Sequence, residues 1–175
     1  MKRFTLTPFR HANAALVLGL LLTVGGLADA ATPPDAAAPP APSFTLPARD
    51  GSVSLDALRG RVVYVDFWAS WCGPCQLSFP WMRELHDRYA KQGLVIVAID
   101  LDKDRKAADA FLSRHTSPFL VAYDPAGKSA EAFDVGAMPS SYLIGPQGTV
   151  LHTMSGFDED KARQTEALIQ KALVP

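Results

Sequence analysis

The chain has 175 residues, which is enough for one domain with a sizeable core but short for two domains of ordinary size. Hydrophobic residues make up 48% of it and charged residues 20%, values that exclude a disordered chain or a membrane bundle for its main body. The formal net charge of −1 argues against a basic surface built to bind nucleic acid.

The N-terminus is laid out like a secretory signal peptide. Basic residues precede an apolar run from Ala14 to Leu27, and small residues suited to a cleavage site follow at Ala28-Asp29-Ala30. The apolar run is shorter than the roughly 20 residues that span a bilayer. We therefore predict a signal peptide over residues 1–30 and a periplasmic location, with attachment to the membrane only if the signal is retained.

The next segment, residues 31–42, is rich in proline and alanine, which predicts an extended linker with nothing to bury. The folded domain is expected over residues 43–175. It opens with an alternating pattern around the turn pair Asp50-Gly51, which predicts a β-hairpin from Phe44 to Val53.

Two runs of β-branched and aromatic residues, Val62–Trp68 and Gly93–Asp100, predict interior strands covered on both faces. Between them, helical spacing begins at Cys72, and Pro80 inside this helix is expected to bend it. The apolar residues that recur at every fourth position of the helix are Leu77, Trp81, Leu85 and Tyr89.

The second half of the chain predicts more helices and one more hairpin. A helix is expected from Asp104 to His115, with Ala107, Ala108 and Phe111 on its inner face. A short apolar stretch, the turn Asp124–Gly127 and a brief helix around Ser129–Phe133 follow. Residues 140–154 predict two strands joined by Gly145-Pro146-Gln147-Gly148. The chain closes with a helix from Asp158 to Leu173 whose inner side holds Ala162, Leu168, Ile169, Ala172 and Leu173. This order predicts an α/β fold with a mixed central sheet and helices on both faces.

The only cysteines, Cys72 and Cys75, lie in the stretch FWASWCGPC. A purely structural disulfide here would close a very short loop, which gives little stabilisation. A closed zinc site needs four ligands, and the four histidines show no spacing that would complete one. A single Cu(I) ion held by the two thiolates is chemically sound and stays open as an alternative.

Reversible disulfide exchange fits the position of the pair. Cys72 falls where a helix begins, so free backbone amides and the helix dipole favour its thiolate. Pro74 suits the first helical turn, where its missing N–H has no partner to lose. Cys75 is nearly one turn further on, and is therefore held beside the first sulfur and deeper in the protein.

The segment VDFWASWCGPC resembles the active-site strand and helix of thioredoxins. The signal peptide, the hairpin ending in LDALRGR and the added helix between Asp104 and Phe133 make the chain more similar to the TlpA/ResA-like periplasmic branch. This resemblance covers about Phe44 to Leu173. It implies a thioredoxin-like three-layer sandwich and a thiol:disulfide oxidoreductase, without cofactor or metal, in which Cys72 attacks the substrate disulfide and Cys75 resolves the mixed disulfide.

Asp66 lies inside the first buried strand, where its carboxylate loses solvation and has no basic neighbour in the strand, so its pKa should be raised. By resemblance it would take and return the proton of Cys75. The lysine that thioredoxins often carry opposite this acid has no counterpart in the strand LVIVAID.

The resemblance also implies a substrate groove around the cysteine pair. A thioredoxin-like domain has a cis-proline facing the cysteines, which places a cis bond at Met138-Pro139 and lets the backbone of Met138 pair with an extended substrate. The residues assigned to the groove are Trp71, Gly73, Pro74, Met138, Pro139 and Gly156.

One position departs from the ResA-like branch, whose pattern C-x-x-E-x-P has an acid where this chain has Ser78. The departure argues against a dedicated role in cytochrome c biogenesis and leaves the exchange chemistry intact.

The Gly-Pro dipeptide favours a reductant, which would act on disulfide-containing periplasmic proteins and need a membrane thiol or electron donor. A Cu(I)-handling protein is the alternative. Peroxidase chemistry is disfavoured, since no Pro-x-x-x-Thr/Ser-x-x-Cys frame precedes Cys72.

Overall fold

The computed structural model describes residues 38–174, so the predicted signal peptide and most of the predicted linker lie outside the described residues. The strands within this range are β1 (Thr45–Pro47), β2 (Ser52–Ser54), β3 (Val62–Trp68), β4 (Leu94–Asp100), β5 (Leu120–Tyr123), β6 (Ser140–Ile144) and β7 (Val150–Ser155). The α-helices are α1 (Gly73–Tyr89), α2 (Arg105–Leu112), α3 (Lys128–Ala132) and α4 (Glu159–Leu173). None of the helices in residues 38–174 is long and apolar enough to cross a membrane.

A five-stranded sheet in the order β5-β4-β3-β6-β7 forms the centre of the domain. Strands β3, β4 and β5 are parallel, while β6 runs antiparallel to β3 and β7 antiparallel to β6. The short hairpin β1-β2 forms a separate two-stranded sheet. The predicted mixed sheet and N-terminal hairpin are therefore present.

Both faces of the sheet are covered, because β3 and β4 are apolar on both sides and must bury both. The face that carries Tyr64 and Trp68 packs against α1, α2 and α4, in a core cluster that includes Phe79, Phe111 and Ile169. The opposite face, which carries Val65 and Phe67, packs against the N-terminal hairpin and α3. This is the predicted three-layer α/β sandwich.

The described chain is already part of the domain before Ser43. The amide of Val150 donates to the carbonyl of Pro39 (2.8 Å), and the amide of Ala41 donates to the carbonyl of Gly148 (2.9 Å). Ala41 is also buried. Residues 39–41, which composition places in the linker, pack in the structure against the β6-β7 hairpin because that hairpin offers unpaired backbone groups.

The same N-terminal segment reaches the other side of the sheet a few residues later. Ala48 pairs with Ala122 of β5 in an isolated antiparallel bridge. The amide of Arg49 donates to the carbonyl of Val121 (3.1 Å). Residues 39–49, which we call the N-terminal strap, therefore cross one face of the sheet from β7 to β5.

The predicted helix after β3 is present as α1, and Leu85 and Tyr89 are buried as predicted, but in the first half of the helix the buried face is rotated from the predicted one. Leu77 is 65% exposed, whereas Phe79 and Met82 are buried in the core. The spacing of Leu77 with Trp81, Leu85 and Tyr89 drifts off the core because four residues turn the helix by more than one full turn. Pro80 lies within α1, and the helix continues through it.

Two smaller departures concern the other helices. In α2, Ala108 and Phe111 are buried as expected, while Ala107 is only partly buried. In α4, Ala162 and Ile169 are buried, but Leu168 is 37% exposed. The α2 helix is one residue shorter at its start than predicted, because Asp104 caps it by accepting a hydrogen bond from the amide of Lys106 (3.0 Å).

The inserted helix α2 is attached to the domain through aromatic contacts. The ring of Phe111 lies 4.7 Å from that of Trp68 and 4.9 Å from that of Phe79, measured between centroids. Trp68 and Phe79 themselves lie 4.8 Å apart. This three-ring cluster joins β3, α1 and α2 directly behind the segment that carries the cysteines.

Candidate active site

The two cysteines form a disulfide at the start of α1. Their Cα atoms are 5.3 Å apart, and Cys72 is the N-cap residue of the helix. The backbone amide of Cys75 donates a hydrogen bond to Sγ of Cys72 (3.2 Å). An amide directed at this sulfur, together with the positive end of the helix dipole, favours the thiolate when the disulfide is opened.

The segment before the helix is a tight turn that exposes Trp71 and leads into the cysteine pair. The amide of Cys72 donates to the carbonyl of Ala69 (3.0 Å), which closes a turn over residues 69–72. Trp71 is 72% exposed, Cys72 retains 5% exposure and Cys75 has none. The arrangement of an outer sulfur and an inner one, predicted from sequence, is therefore found.

The two residues between the cysteines are exposed. Gly73 and Pro74 occupy the first turn of α1, as the sequence predicts for the proline. A proline here deletes no intrahelical hydrogen bond, because the first amides of a helix have no partner within it. Gly73 and Pro74 are therefore the exposed residues next to the disulfide, whereas the cysteines themselves are buried.

The bond between Met138 and Pro139 is cis, as predicted. Met138 packs against the core cluster that includes Cys72 and Cys75. The amide of Gly156 donates to the carbonyl of Pro139 (2.8 Å), so Gly156 lies beside this loop. Gly156 has a φ of 72°, a left-handed conformation that a side chain would strain.

Asp66 is fully buried in β3, and both of its carboxylate oxygens lack a hydrogen-bond partner. Burial raises its pKa well above the ordinary value for aspartate, as predicted. Strand alternation places its side chain on the same sheet face as Tyr64 and Trp68, both of which belong to the core cluster that contains Cys75.

The neighbours of Asp66 across the sheet are Ala98 on β4 and Ser141 on β6. The neighbouring strand β4, on which thioredoxins often carry a lysine, has none in this chain. Tyr64 donates from its hydroxyl to Oγ of Ser141 (2.7 Å), and the pKa of this buried tyrosine is raised by desolvation and by the charge of Asp66. Sequence reasoning missed Tyr64 and Ser141, because their contact depends on the register between β3 and β6.

A second group of polar residues that the sequence analysis missed lies at the carboxyl end of β4. The carboxylate of Asp102 accepts two hydrogen bonds from Ser70, one from its amide (2.8 Å) and one from its hydroxyl (3.1 Å). The amide of Asp102 donates to Oδ1 of Asp100 (3.3 Å). Because β3 and β4 are parallel, acids directly after β4 lie at the same sheet edge as the cysteines. The position of Asp100 and Asp102 at the end of a predicted parallel strand could therefore have identified them from the sequence.

Ser78, which replaces the acid of the ResA-like pattern, is buried in α1. Its hydroxyl donates to the carbonyl of Cys75 (3.1 Å). Within residues 38–174, no three His, Cys, Asp or Glu side chains are grouped as ligands for a metal ion.

A parallel–antiparallel sheet in this strand order, with a cysteine pair opening the helix that follows the central strand, defines a thiol-disulfide oxidoreductase of the thioredoxin fold. Comparison of the sequence with family models agrees with this class. The model of the AhpC/TSA family matches residues 38–153, and the chain belongs to that family.

Individual relatives are named for the same chemistry. The chain is 34% identical over 132 residues to the thiol-disulfide oxidoreductase ResA of a Bacillus cereus strain, covering 75% of each chain. It is 32% identical over 117 residues to ResA of Bacillus subtilis (strain 168), covering 66% of this chain and 65% of that one. A solved structure from Chlorobium tepidum, described as a candidate thiol:disulfide interchange protein DsbE, has a TM-score of 0.76 and 42% identity, and covers 78% of this chain and 96% of that chain.

Proposed function

We propose that the protein reduces disulfide bonds of client proteins in the periplasm through its C-G-P-C pair. The observation that carries the proposal is the hydrogen bond from the Cys75 amide to Sγ of Cys72, with Cys72 as the more exposed of the two residues. This geometry favours Cys72 as nucleophile and Cys75 as the resolving thiol.

In the first step, the thiolate of Cys72 attacks one sulfur of the client disulfide. The S–S bond of the client breaks as the mixed disulfide forms, and the departing client sulfur leaves as a thiolate that takes a proton. The helix dipole and the Cys75 amide stabilise the negative charge on Cys72 before attack. This stabilisation raises the fraction of thiolate more than it reduces the nucleophilicity of the sulfur.

In the second step, Cys75 gives up its proton and attacks Sγ of Cys72. The mixed disulfide breaks, the second client sulfur leaves as a thiolate and is protonated, and the client has gained two electrons and two protons. We assign the acceptor of the Cys75 proton to Asp66, a desolvated carboxylate on the sheet face that lies behind Cys75.

Client binding is assigned to the surface around the pair. The exposed ring of Trp71 and the exposed Gly73 and Pro74 provide a contact area beside the disulfide. An extended client segment would pair with the backbone of Met138 next to Pro139, and Gly156 borders the same loop.

The location and the partners follow from the remaining sequence features. The predicted signal peptide supports export to the periplasm, where the dithiol form is not maintained by a cytosolic thiol pool. The protein therefore needs a membrane thiol or electron donor to return to the reduced state. Ser78, in place of an acid, argues against apocytochrome c as its dedicated client.

The test is the reduction potential of the pair together with insulin reduction by residues 31–175. We expect a potential near that of thioredoxin, about −270 mV, and insulin reduction that is lost in Cys72→Ser. A potential above about −150 mV would reverse the direction of the reaction. Tight stoichiometric Cu(I) binding to the reduced protein, with no insulin reduction, would replace the proposal by the copper-handling alternative.

A further inference from the structure

The turn that carries Trp71 and Cys72 is attached to the end of β4 through one side chain. In the described part of the chain, both hydrogen bonds that tie residues 69–72 to this strand end lead to the carboxylate of Asp102. One comes from the backbone amide of Ser70 and the other from its hydroxyl, so the carboxylate fixes both the position and the orientation of the residue. Hydrogen bonds to a charged acceptor are stronger than bonds between neutral groups.

Asp102 is itself held in place. It is 4% exposed, and its amide donates to Oδ1 of Asp100 at the end of β4. The amide of Leu101 donates to the carbonyl of Trp68 (2.9 Å), which joins the ends of β4 and β3 directly before the turn. The carboxylate therefore stands on a rigid strand end, which is the kind of support that positions a site accurately.

Without Asp102, the turn would retain the hydrogen bond between the amide of Cys72 and the carbonyl of Ala69. That bond is internal to the turn and does not fix it to the sheet. The amide and hydroxyl of Ser70 would also lose their acceptor, which favours a rearranged turn that exposes them to water.

We infer that Asp102 is a positioning residue for disulfide exchange, which acts by holding Ser70 and thereby the turn that presents Trp71 and Cys72 to a client protein. The inference rests on the proposed role of Cys72 and adds a residue that neither the sequence motif nor the proposed mechanism contains. Loss of Asp102 impairs exchange with a protein disulfide more than it impairs the reaction of Cys72 with a small reagent, because a mobile turn still exposes the sulfur.

The experiment compares Asp102→Asn with Asp104→Asn, a control two residues away that keeps a helix-capping side chain and has no bond to Ser70. At a temperature at which both variants are folded, we expect kcat/KM for insulin reduction to fall about tenfold in Asp102→Asn and to stay within twofold in the control. Alkylation of Cys72 by iodoacetamide should stay within threefold in both. Hydrogen exchange at the Ser70 amide should accelerate about tenfold in Asp102→Asn alone.

Ser70 variants keep the test valid if Asp102→Asn does not fold. Ser70→Ala removes one of the two bonds and should give a smaller loss, whereas Ser70→Thr keeps both donors and should restore activity. If Asp102 acts through Ser70, the double variant Ser70→Ala/Asp102→Asn is no worse than Asp102→Asn alone.

Two results overturn the inference. One is insulin reduction by Asp102→Asn within twofold of the wild-type rate, with only the melting temperature lowered. The other is additivity of the Ser70 and Asp102 substitutions. Failure of the wild-type protein to reduce insulin would count against the proposed function instead, and exchange at the Ser70 amide would then decide whether Asp102 holds the turn.

Discussion

The backbone amide of Cys75 donates a hydrogen bond to the sulfur of Cys72, at 3.2 Å, across the two residues that separate them. The donor is a main-chain group, so it is present whatever side chain stands at position 75. The stabilisation of negative charge on Cys72 is therefore expected to survive substitution of its partner, and the two roles of the pair can be separated experimentally.

Cys75→Ser should keep a reactive Cys72 and stop at the mixed disulfide, because no second thiol is available to resolve it. We expect disulfide-linked adducts with periplasmic proteins on non-reducing gels, which disappear on addition of dithiothreitol. Cys72→Ser is the matched control and should yield no adducts. Equal adduct formation by the two variants would show that Cys72 is not the attacking sulfur.

Asp66→Asn should make the domain more stable at neutral pH. The pKa of Asp66 is raised in the folded protein, so the folded state binds more protons than the unfolded one and its stability falls as pH rises above about 4, the ordinary pKa of aspartate. A neutral amide removes this loss. We therefore expect a larger free energy of unfolding for Asp66→Asn than for the wild-type protein at pH 7.

The same substitution should slow resolution of the mixed disulfide if Asp66 accepts the proton of Cys75. Stability is measured by denaturant unfolding at pH 5 and pH 8, and the gain from Asp66→Asn should be larger at pH 8. Resolution is measured by single-turnover release of reduced client. A variant that is more stable yet resolves at the wild-type rate would leave Asp66 without a catalytic role.

Asp100→Asn should flatten the pH dependence of stability in the neutral range. Burial and the neighbouring carboxyl group of Asp102 raise the pKa of Asp100 to about 8, with a smaller contribution from the charge of Asp109. The wild-type protein therefore loses stability from this group as pH rises towards 8, and the neutral variant does not. Thermal unfolding between pH 5 and pH 9 checks this, and parallel curves for the two proteins would contradict it.

Trp71→Ala should weaken client binding with little effect on folding, because the ring is 72% exposed. Removal of an aromatic residue from the centre of an interface typically costs more than about 1 kcal/mol, which corresponds to an increase in KM of roughly fivefold or more. The control is Leu168→Ala, which removes an exposed apolar side chain at a different place, on α4, and should leave KM unchanged. Similar KM values for both variants would place the client surface elsewhere.

Phe111→Ala should destabilise the whole domain by about 3–5 kcal/mol, the usual range for removal of a buried phenylalanine. The ring fills the space between Trp68 and Phe79, so its loss leaves a cavity behind the cysteine segment. Phe111→Leu fills most of that space and should be milder. Denaturant unfolding measures both, and a loss below about 1 kcal/mol in the alanine variant would show that α2 is only loosely attached.

The order of strands and helices could be predicted from sequence because β3 and β4 are nearly continuous apolar runs and because the cysteine motif marks the boundary between β3 and α1. The buried face of the first half of α1 could not be predicted. Leu77 and Phe79 are equally apolar, and only the packing of Phe79 against Trp68 and Phe111 decides which of them is buried.

The candidate site also contains residues that could be predicted from the sequence and residues that could not. Cys72, Cys75, Asp66 and Pro139 lie in local patterns that a sequence carries. The contacts of Ser141 with Tyr64 and of Asp102 with Ser70 join residues 77 and 32 positions apart, and they depend on strand register and on the relative ends of parallel strands. Such pairs become visible only when the sheet is assembled.

The N-terminal strap has a consequence for the solubility of the domain. The outermost strands of a sheet expose unpaired backbone groups that can recruit strands from other molecules. Here one short stretch pairs with both borders of the sheet, through Pro40 with Thr149 directly before β7 and through Ala48 with Ala122 of β5. A protein shortened to begin at Asp50 would uncover the two borders at once, and we expect it to self-associate through them even where its cysteine chemistry is intact.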